Sequence, residues 1–172
     1  MQTRDMLDSI FETELRHLML VSYVVLGNNA VTNRYIEKVY GMPVHAWSTL
    51  FAISMFPGIR AKEIKQLFPR PQNTISRAAS LLDARGLIRQ ETSPTDAREK
   101  RLYITDKGAE ILAEIRATSL ERQEELFAPL DEAERETFFR LARKIADGPQ
   151  LLTSRAMDPA GAETRERRDA SA

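Results

Sequence analysis

The sequence predicts a mainly α-helical fold with some β structure (α+β), in which one two-stranded β-hairpin accompanies several helices. An apolar residue recurs at helical spacing between Gln72 and Arg85, which predicts an amphipathic helix there. The positions of this apolar stripe are Ile75, Ala78, Ala79 and Leu82. Two short segments, 87–91 and 101–105, can pair as antiparallel strands, and Pro94 between them excludes one continuous strand. Helical periodicity dominates the rest of the chain as far as Gly148.

The first helical pattern, over residues 7–40, contains an unusually apolar stretch. Leu18–Leu26 carries apolar side chains on nearly every face, and a helix of this kind is buried on all sides. The stretch is far shorter than the ~18 residues that a membrane span requires, so a second protein subunit is the expected cover. Gly27 is a candidate kink, and Gly41 is expected to end the helix.

A helix-turn-helix is predicted next. The second helix begins at Met42-Pro43, since proline fits a first helical position, and Pro57-Gly58 ends it. The residues expected to face the core are Val44, Trp47, Phe51 and Met55. A short third helix over residues 60–68 and a tight turn lead into the helix at 72–85, and two helices joined so closely form a helix-turn-helix.

Two further helices are predicted after the hairpin. Thr105 can cap the fifth helix, with Asp106 in its positive first turn, and this helix runs to about Leu126. Gly108 is expected to allow close helix approach. Residues 131–134 form a capping box for the last helix. The apolar stripe of that helix is Phe138, Leu141, Ala142 and Ile145.

The outward face of the helix at 72–85 carries short polar side chains and an arginine. Its members are Asn73, Thr74, Ser76, Arg77 and Ser80. A helix face that meets only solvent would more often carry glutamate and lysine. Small polar groups and an arginine suit contact with base edges in a DNA major groove. Gly86 follows at the position of a C-cap glycine. The hairpin has its tip at residues 92–100 and carries three basic side chains at or beside it, Arg98, Lys100 and Arg101.

Four segments, in order, resemble the MarR family of winged helix-turn-helix regulators. They are Thr-Ile-Ser-Arg at 74–77, Leu-Leu-Asp-Ala-Arg-Gly-Leu-Ile at 81–88, Asp-Ala-Arg at 96–98 and Leu-Tyr-Ile-Thr-Asp-Lys-Gly at 102–108. The resemblance runs from about Phe11 to Ile145 and implies a winged helix-turn-helix whose hairpin is the wing and whose helix at 72–85 is the recognition helix. One departure from the family pattern is Arg70-Pro71, where a Ser, Thr or Asp cap usually precedes the recognition helix.

The resemblance also implies a division of the chain. Residues 1–148 are expected to form a single domain, in which residues 43–105 are the DNA-binding lobe. The flanking helices, within residues 1–42 and 106–148, would form a homodimer. Residues 149–172 lack periodicity, which predicts a disordered tail.

Charge distribution favours a nucleic-acid partner, although the formal net charge is zero. Residues 57–105 hold ten basic and five acidic side chains, whereas residues 106–147 hold seven basic and eleven acidic ones. A basic lobe on an acidic body is typical of proteins that bind nucleic acids.

Other chemistry is sparse in the sequence. There is no cysteine, and the only histidines, His17 and His45, lie far apart in the chain, so neither a metal site nor a cofactor is expected. No phosphate loop, nucleophile elbow or HExxH motif occurs, so no enzyme is expected. No signal peptide is apparent at the N-terminus, which makes the cytoplasm the expected location.

Double-stranded DNA is therefore expected to meet the recognition helix, the wing and nearby basic residues. The candidate contacts are Gln72, Asn73, Thr74, Ser76, Arg77, Ser80, Arg98, Lys100, Lys62 and Arg70. Arg98 would enter the minor groove, where the negative potential favours it, and Lys62, Arg70 and Lys100 would contact phosphates. Asp96 would support the wing through a salt bridge, since DNA repels a carboxylate.

The resemblance further implies a pocket for a small aromatic or carboxylate effector, placed between the lobe and the dimer helices. The residues expected to line it are His17, Tyr23, Arg34 and Trp47. Arg34 would pair with a ligand carboxylate. Two alternatives stay open: Trp47 as a core aromatic residue, and Arg34 as an ordinary surface residue.

These features predict a dimeric transcriptional regulator, a ligand-responsive repressor of a pseudo-palindromic operator. The alternative is a winged-helix module for protein interaction or dimerisation that does not bind DNA. A protein-binding face would expose leucine, phenylalanine or tyrosine, whereas the recognition helix presents serine, threonine, asparagine and arginine.

Overall fold

The computed structural model describes residues 3–68, 71–92, 99–154 and 157. Its elements, in chain order, are α1 (Thr3–Phe11), α2 (Arg16–Tyr40), α3 (Val44–Met55), α4 (Ala61–Leu67), α5 (Gln72–Ala84), β1 (Ile88–Thr92), β2 (Lys100–Ile104), α6 (Asp106–Phe127), α7 (Glu132–Ala146) and a 3₁₀ turn at Pro149–Leu151. The predicted mainly α fold with one hairpin is confirmed. The chain divides into two compact units, one ending at Leu126 and the other beginning at Phe127.

The N-terminal helical pattern is interrupted in the structure. The sequence predicted one helical segment over residues 7–40, but α1 ends at Phe11 and α2 begins at Arg16. The Thr13 hydroxyl donates to the carbonyl oxygen of Ile10 at 2.8 Å, which favours a turn over a continued helix. α2 then runs unbroken through Gly27 and ends at Gly41, whose φ of 57° is left-handed, as a C-cap glycine allows.

Most of the hydrophobic core lies in the segment from α3 to β2, which we call the head; Ile36, Met42 and Ile115 join it from outside this segment. α5 packs on α3 and α4, and β2 packs on α3. The predicted stripe of α5 (Ile75, Ala78, Ala79 and Leu82) is at most 6% exposed, so that prediction is confirmed. The two strands pair antiparallel with Ile88 opposite Ile104, and Leu102 bridges to Ile59 before α4.

The predicted core face of α3 was wrong in part. Phe51 and Met55 are 41% and 57% exposed, and Val44 and Trp47 are only half-buried. The buried face is Ala46, Ser48, Thr49, Leu50, Ala52 and Ile53. α3 is apolar nearly all round, so periodicity alone did not select a face; packing on α5 and β2 selected it.

The junction between hairpin and α6 is close-packed. The Thr105 hydroxyl accepts from the Gly108 amide at 3.1 Å, which confirms it as the N-terminal cap of α6. Gly108 is buried, and a Cβ built on it would lie 2.0 Å from the carbonyl oxygen of Leu87. Only glycine permits this approach of α6 to the hairpin.

α2 leaves most of its apolar surface uncovered in a single chain. Each apolar residue of Leu18–Leu26 is 37% to 67% exposed, and the one buried residue of this fully described helix is Ile36. Within the described part of the chain, no helix combines the length and apolar character that crossing a lipid bilayer requires.

The unit from Phe127 onward contains α7, whose start confirms the predicted capping box. The Glu134 amide donates to Asp131 at 2.8 Å, and the Asp131 amide donates to Glu134 at 2.9 Å. Phe127 and Phe138 make an edge-to-face contact with ring centroids 5.3 Å apart. The predicted stripe of α7 is exposed within the chain, with Leu141 at 49% and Ile145 at 61%.

Candidate nucleic-acid interface

The outward face of α5 presents the predicted small polar side chains to solvent. Asn73, Ser76, Arg77 and Ser80 are exposed, and Thr74 is half-buried. Because the opposite face is anchored in the head core, these side chains share one surface. The side chain of Gln72, also a predicted contact, lies outside the described residues.

Arg77 is available for an external partner. It is exposed, and among the described residues it has neither an ion pair nor a hydrogen bond. A guanidinium group without a partner can present two parallel donors to an acceptor pair, such as O6 and N7 of guanine. No described residue therefore occupies the guanidinium group of Arg77, which is available for the contact predicted from the sequence.

The wing is described only near its base. Lys100 lies opposite Thr92, and its ammonium group donates to the Thr92 hydroxyl at 3.0 Å. Lys100 is exposed there. Arg98 and Asp96, predicted for the minor groove and for wing support, lie outside the described residues, as does Arg70. Their roles stay predictions.

A cluster of four charged residues joins the wing to the start of α4. Glu99 pairs with Arg60 at 2.9 Å and also with Lys62. Arg60 pairs with Glu63, and the Arg60 amide donates to the Glu63 carboxylate at 2.9 Å. The side chain of arginine contains no hydrogen-bond acceptor. The cap of α4 is therefore the carboxylate of Glu63 and not the guanidinium of Arg60. Lys62, a predicted phosphate contact, thus has an acidic partner within the chain.

Sequence reasoning missed Arg60, Glu63 and Glu99. A glutamate three residues after a helix start is half of a capping box, so Glu63 carried a usable signal. Nothing local marks Glu99, because its partner Arg60 lies 39 positions earlier. The cluster raises the pKa of Arg60 and lowers the pKa of Glu99, in both cases mainly through their hydrogen-bonded ion pairs.

Glu63→Gln is expected to remove a pH-dependent part of the stability. The hydrogen bonds from Arg60 lower the pKa of Glu63 from 4.5 to about 2. A carboxylate with a lowered folded-state pKa stabilises the fold above pH 4.5 and loses this effect as the pH falls toward 2. Because the Glu63 side chain is 37% exposed, solvent screening limits the effect to at most about 1 kcal/mol.

Urea unfolding at several pH values measures this effect. The stability difference between the wild type and Glu63→Gln should be largest near neutral pH and should vanish toward pH 2, through the window set by the lowered pKa. Glu110→Gln, at an exposed position of α6, is the matched control. A difference that does not change with pH would contradict the assigned pKa.

The residues predicted to line an effector pocket are placed along α2 and α3. His17, Tyr23 and Arg34 are exposed on α2, and Tyr23 contacts Phe11 of α1 with ring centroids 5.7 Å apart. Trp47 packs against the head core, and its ring centroid lies 6.4 Å from that of Phe51. Its buried Nε1 has no acceptor among the described residues. The pocket stays a prediction.

A different cavity, of about 160 Å³, lies between α2 and α6. Its lining combines apolar residues with hydroxyl and charged groups: Val31, Thr32, Tyr35, Ile36, Ile115, Thr118, Ser119, Glu121, Arg122 and Glu125. None of the predicted pocket residues is among them. Within the described residues, no group of three histidine or acidic side chains is placed to hold a metal ion.

Known proteins resemble this chain in sequence and in fold. A sequence model of the MarR family matches residues 40–99. The transcriptional regulator HosA of Escherichia coli O111:H- is 26% identical over 114 residues, which are 66% of this chain and 84% of HosA. A crystal structure of MarR superposes with a TM-score of 0.69 at 25% identity, covering 79% of this chain and 90% of that one. A MarR protein from Peptoclostridium difficile DA00132 superposes with a TM-score of 0.71 at 19% identity, covering 78% of this chain and 88% of that one. This likeness concerns the fold alone.

Proposed function

Because the chain belongs to the MarR family of winged helix-turn-helix transcriptional regulators that bind DNA, we propose that it binds a pseudo-palindromic operator as a homodimer. In this proposal it represses transcription, and a small aromatic or carboxylate ligand releases it from the DNA. One observation carries the DNA-binding part: the exposed small polar face of α5, with Arg77 free among the described residues and the exposed Lys100 at the base of the wing.

The dimer is supported by the uncovered surface of α2. The apolar residues of Leu18–Leu26 are 37% to 67% exposed, which is unusual for a contiguous surface of a monomer. In a two-fold dimer, the apolar surface of each copy covers that of the other, so neither surface stays exposed. Dimerisation also places two recognition helices on one duplex, about 34–36 Å or one helical turn apart.

The alternative, a winged-helix module that binds only proteins, is disfavoured by the same face of α5. Interface cores are enriched in aromatic residues and methionine. The exposed positions of α5 described in the structure include Asn73, Ser76, Arg77 and Ser80 instead. These side chains match the donor and acceptor groups of base pairs better than the apolar surface of a protein partner.

Selection of DNA by the purified chain from a pool of random-sequence duplexes tests the proposed function. We expect enrichment of an inverted repeat whose half-sites lie about one helical turn apart. A pool that shows no enriched sequence after repeated selection would refute sequence-specific binding. Binding of the selected duplex should weaken steeply as salt is raised, because phosphate contacts release counterions.

Arg77→Ala is expected to weaken binding to the selected duplex by about 10- to 100-fold, since an arginine–guanine pair discriminates by roughly 1–3 kcal/mol. Binding to unrelated duplexes should change little, because Arg77 lies outside the head core and the basic lobe otherwise remains. Arg116→Ala, which removes an exposed arginine from α6, is the matched control. Fluorescence anisotropy with both duplexes measures the two affinities. If the Arg77 variant kept the sequence preference of the wild type, this would indicate that Arg77 contacts at most a phosphate and not a base.

A further inference from the structure

One side chain ties the end of the recognition helix directly to the end of α2. Arg85, at which α5 ends, donates from Nη1 to the carbonyl oxygen of Tyr40 and from Nη2 to that of Gly41, both at 2.9 Å. The last carbonyls of a helix have no partner within the helix, so Arg85 satisfies acceptors that α2 leaves open. Its positive charge also lies at the negative end of the α2 dipole.

The start of α6 also binds the end of α5. The Lys107 ammonium group donates to the carbonyl oxygen of Arg85 at 3.0 Å. The Thr105 hydroxyl donates to the carbonyl oxygen of Gly86 at 2.7 Å. The end of α5 is therefore held by α2 and by the start of α6, two helices that lie outside the helix-turn-helix.

These bonds differ in kind from the packing of α5 on α3 and α4. Elsewhere α5 packs on α3 and α4 through its apolar stripe, and apolar contacts are non-directional. A planar guanidinium that donates to two consecutive carbonyls sets both a distance and an angle. Arg85 thus defines the orientation of α5 relative to α2 more strictly than the apolar packing does.

We infer that Arg85 is a positioning residue that transmits the orientation of α2 to the recognition helix and so determines which half-site spacing the dimer accepts. The inference rests on the proposed function, in which α2 contributes to the dimer contact and α5 reads DNA. In a two-fold dimer, the separation of the recognition helices depends on how each is held to the helices at the interface. Arg85 is half-buried, and its proposed role involves no contact with DNA.

The test compares the wild type with Arg85→Ala, Arg85→Lys and the control Arg116→Ala. The probes are the inverted-repeat duplex selected by the wild type, the same duplex with its half-sites moved apart by one or two base pairs, and a duplex that carries a single half-site. Circular dichroism and sedimentation first establish that each variant is folded and dimeric.

For Arg85→Ala we expect about tenfold weaker binding to the selected duplex, as the loss of charge-assisted hydrogen bonds predicts. Its preference for the selected spacing over the shifted ones should fall by about tenfold, which is about 1.4 kcal/mol. Binding to the single half-site should not change, because the reading surface of α5 is intact. Arg85→Lys should be intermediate, since an ammonium group lacks the fixed fork of guanidinium. If the alanine variant does not fold, the Arg85→Lys variant alone is compared with the wild type.

Several results would overturn the role of Arg85. An equal loss on the single half-site would indicate a direct DNA contact or a damaged head. Unchanged affinity and spacing preference in both Arg85 variants would show that apolar packing alone positions α5. A wild type that selects no inverted repeat would refute the proposed function itself, and the inference with it. A wild type that discriminates between spacings, beside Arg85 variants that do so equally well, would refute the inference alone.

Discussion

Gly108→Ala is expected to destabilise the fold by about 3 kcal/mol or more, the upper range for inserting an atom into a packed site. The new Cβ would lie 2.0 Å from the carbonyl oxygen of Leu87 and 2.9 Å from Cγ1 of Ile104. The first of these is backbone, so no side-chain rotation relieves the clash. α6 must move away from the hairpin, and the hydrogen bonds of Thr105 that close this junction are strained with it.

Thermal unfolding at equal protein concentration measures this effect, and the melting temperature should fall by about 6–12 °C for a chain of this size. The sign of the change is diagnostic. If only helix propensity mattered, alanine in place of glycine would stabilise α6 by about 1 kcal/mol. Ala109→Gly, at the exposed neighbouring position, should cost about that amount and no more. A Gly108→Ala variant as stable as the wild type would contradict the close approach.

The double variant Val21→Glu with Val25→Glu is expected to abolish the proposed dimer. Val21 and Val25 are 56% and 50% exposed in a single chain and lie one helical turn apart on α2. In the dimer, each new carboxylate would be buried without a partner, at a cost of several kcal/mol per ion. The dimer dissociation constant should therefore rise by at least about 1,000-fold.

Sedimentation equilibrium measures that constant, and the melting temperature of the wild type should rise with protein concentration, as expected for an obligate dimer. A control adds the same two charges to exposed positions of the head, as Gln66→Glu with Asn73→Glu, and should leave the dimer intact. DNA binding by the α2 variant should fall to that of a single half-site. A stable monomeric wild type at micromolar concentration would contradict the proposed dimer.

The recognition helix was predictable because only one of its faces is apolar. Ile75 lies between Thr74 and Ser76, and Leu82 follows it at i+7 on the same face, so helical periodicity identifies the buried stripe. Both are fully buried in the structure. In α3 the same reasoning selected Phe51 and Met55, which are exposed. That helix is apolar on most faces, so the pattern left its orientation open and the neighbouring elements decided it.

The sequence by itself determined the order of the elements from α3 to α7, the caps of α6 and α7, the polar face of α5 and the apolar character of α2, because each depends on residues within a few positions of one another. Only the tertiary structure decided the long-range pairings. Arg85 reaches the carbonyl of Tyr40, 45 positions earlier, and Glu99 reaches Arg60, 39 positions earlier. Long charged side chains accept many partners, and the packing of distant elements selects among them. A local pattern contains no information about that packing.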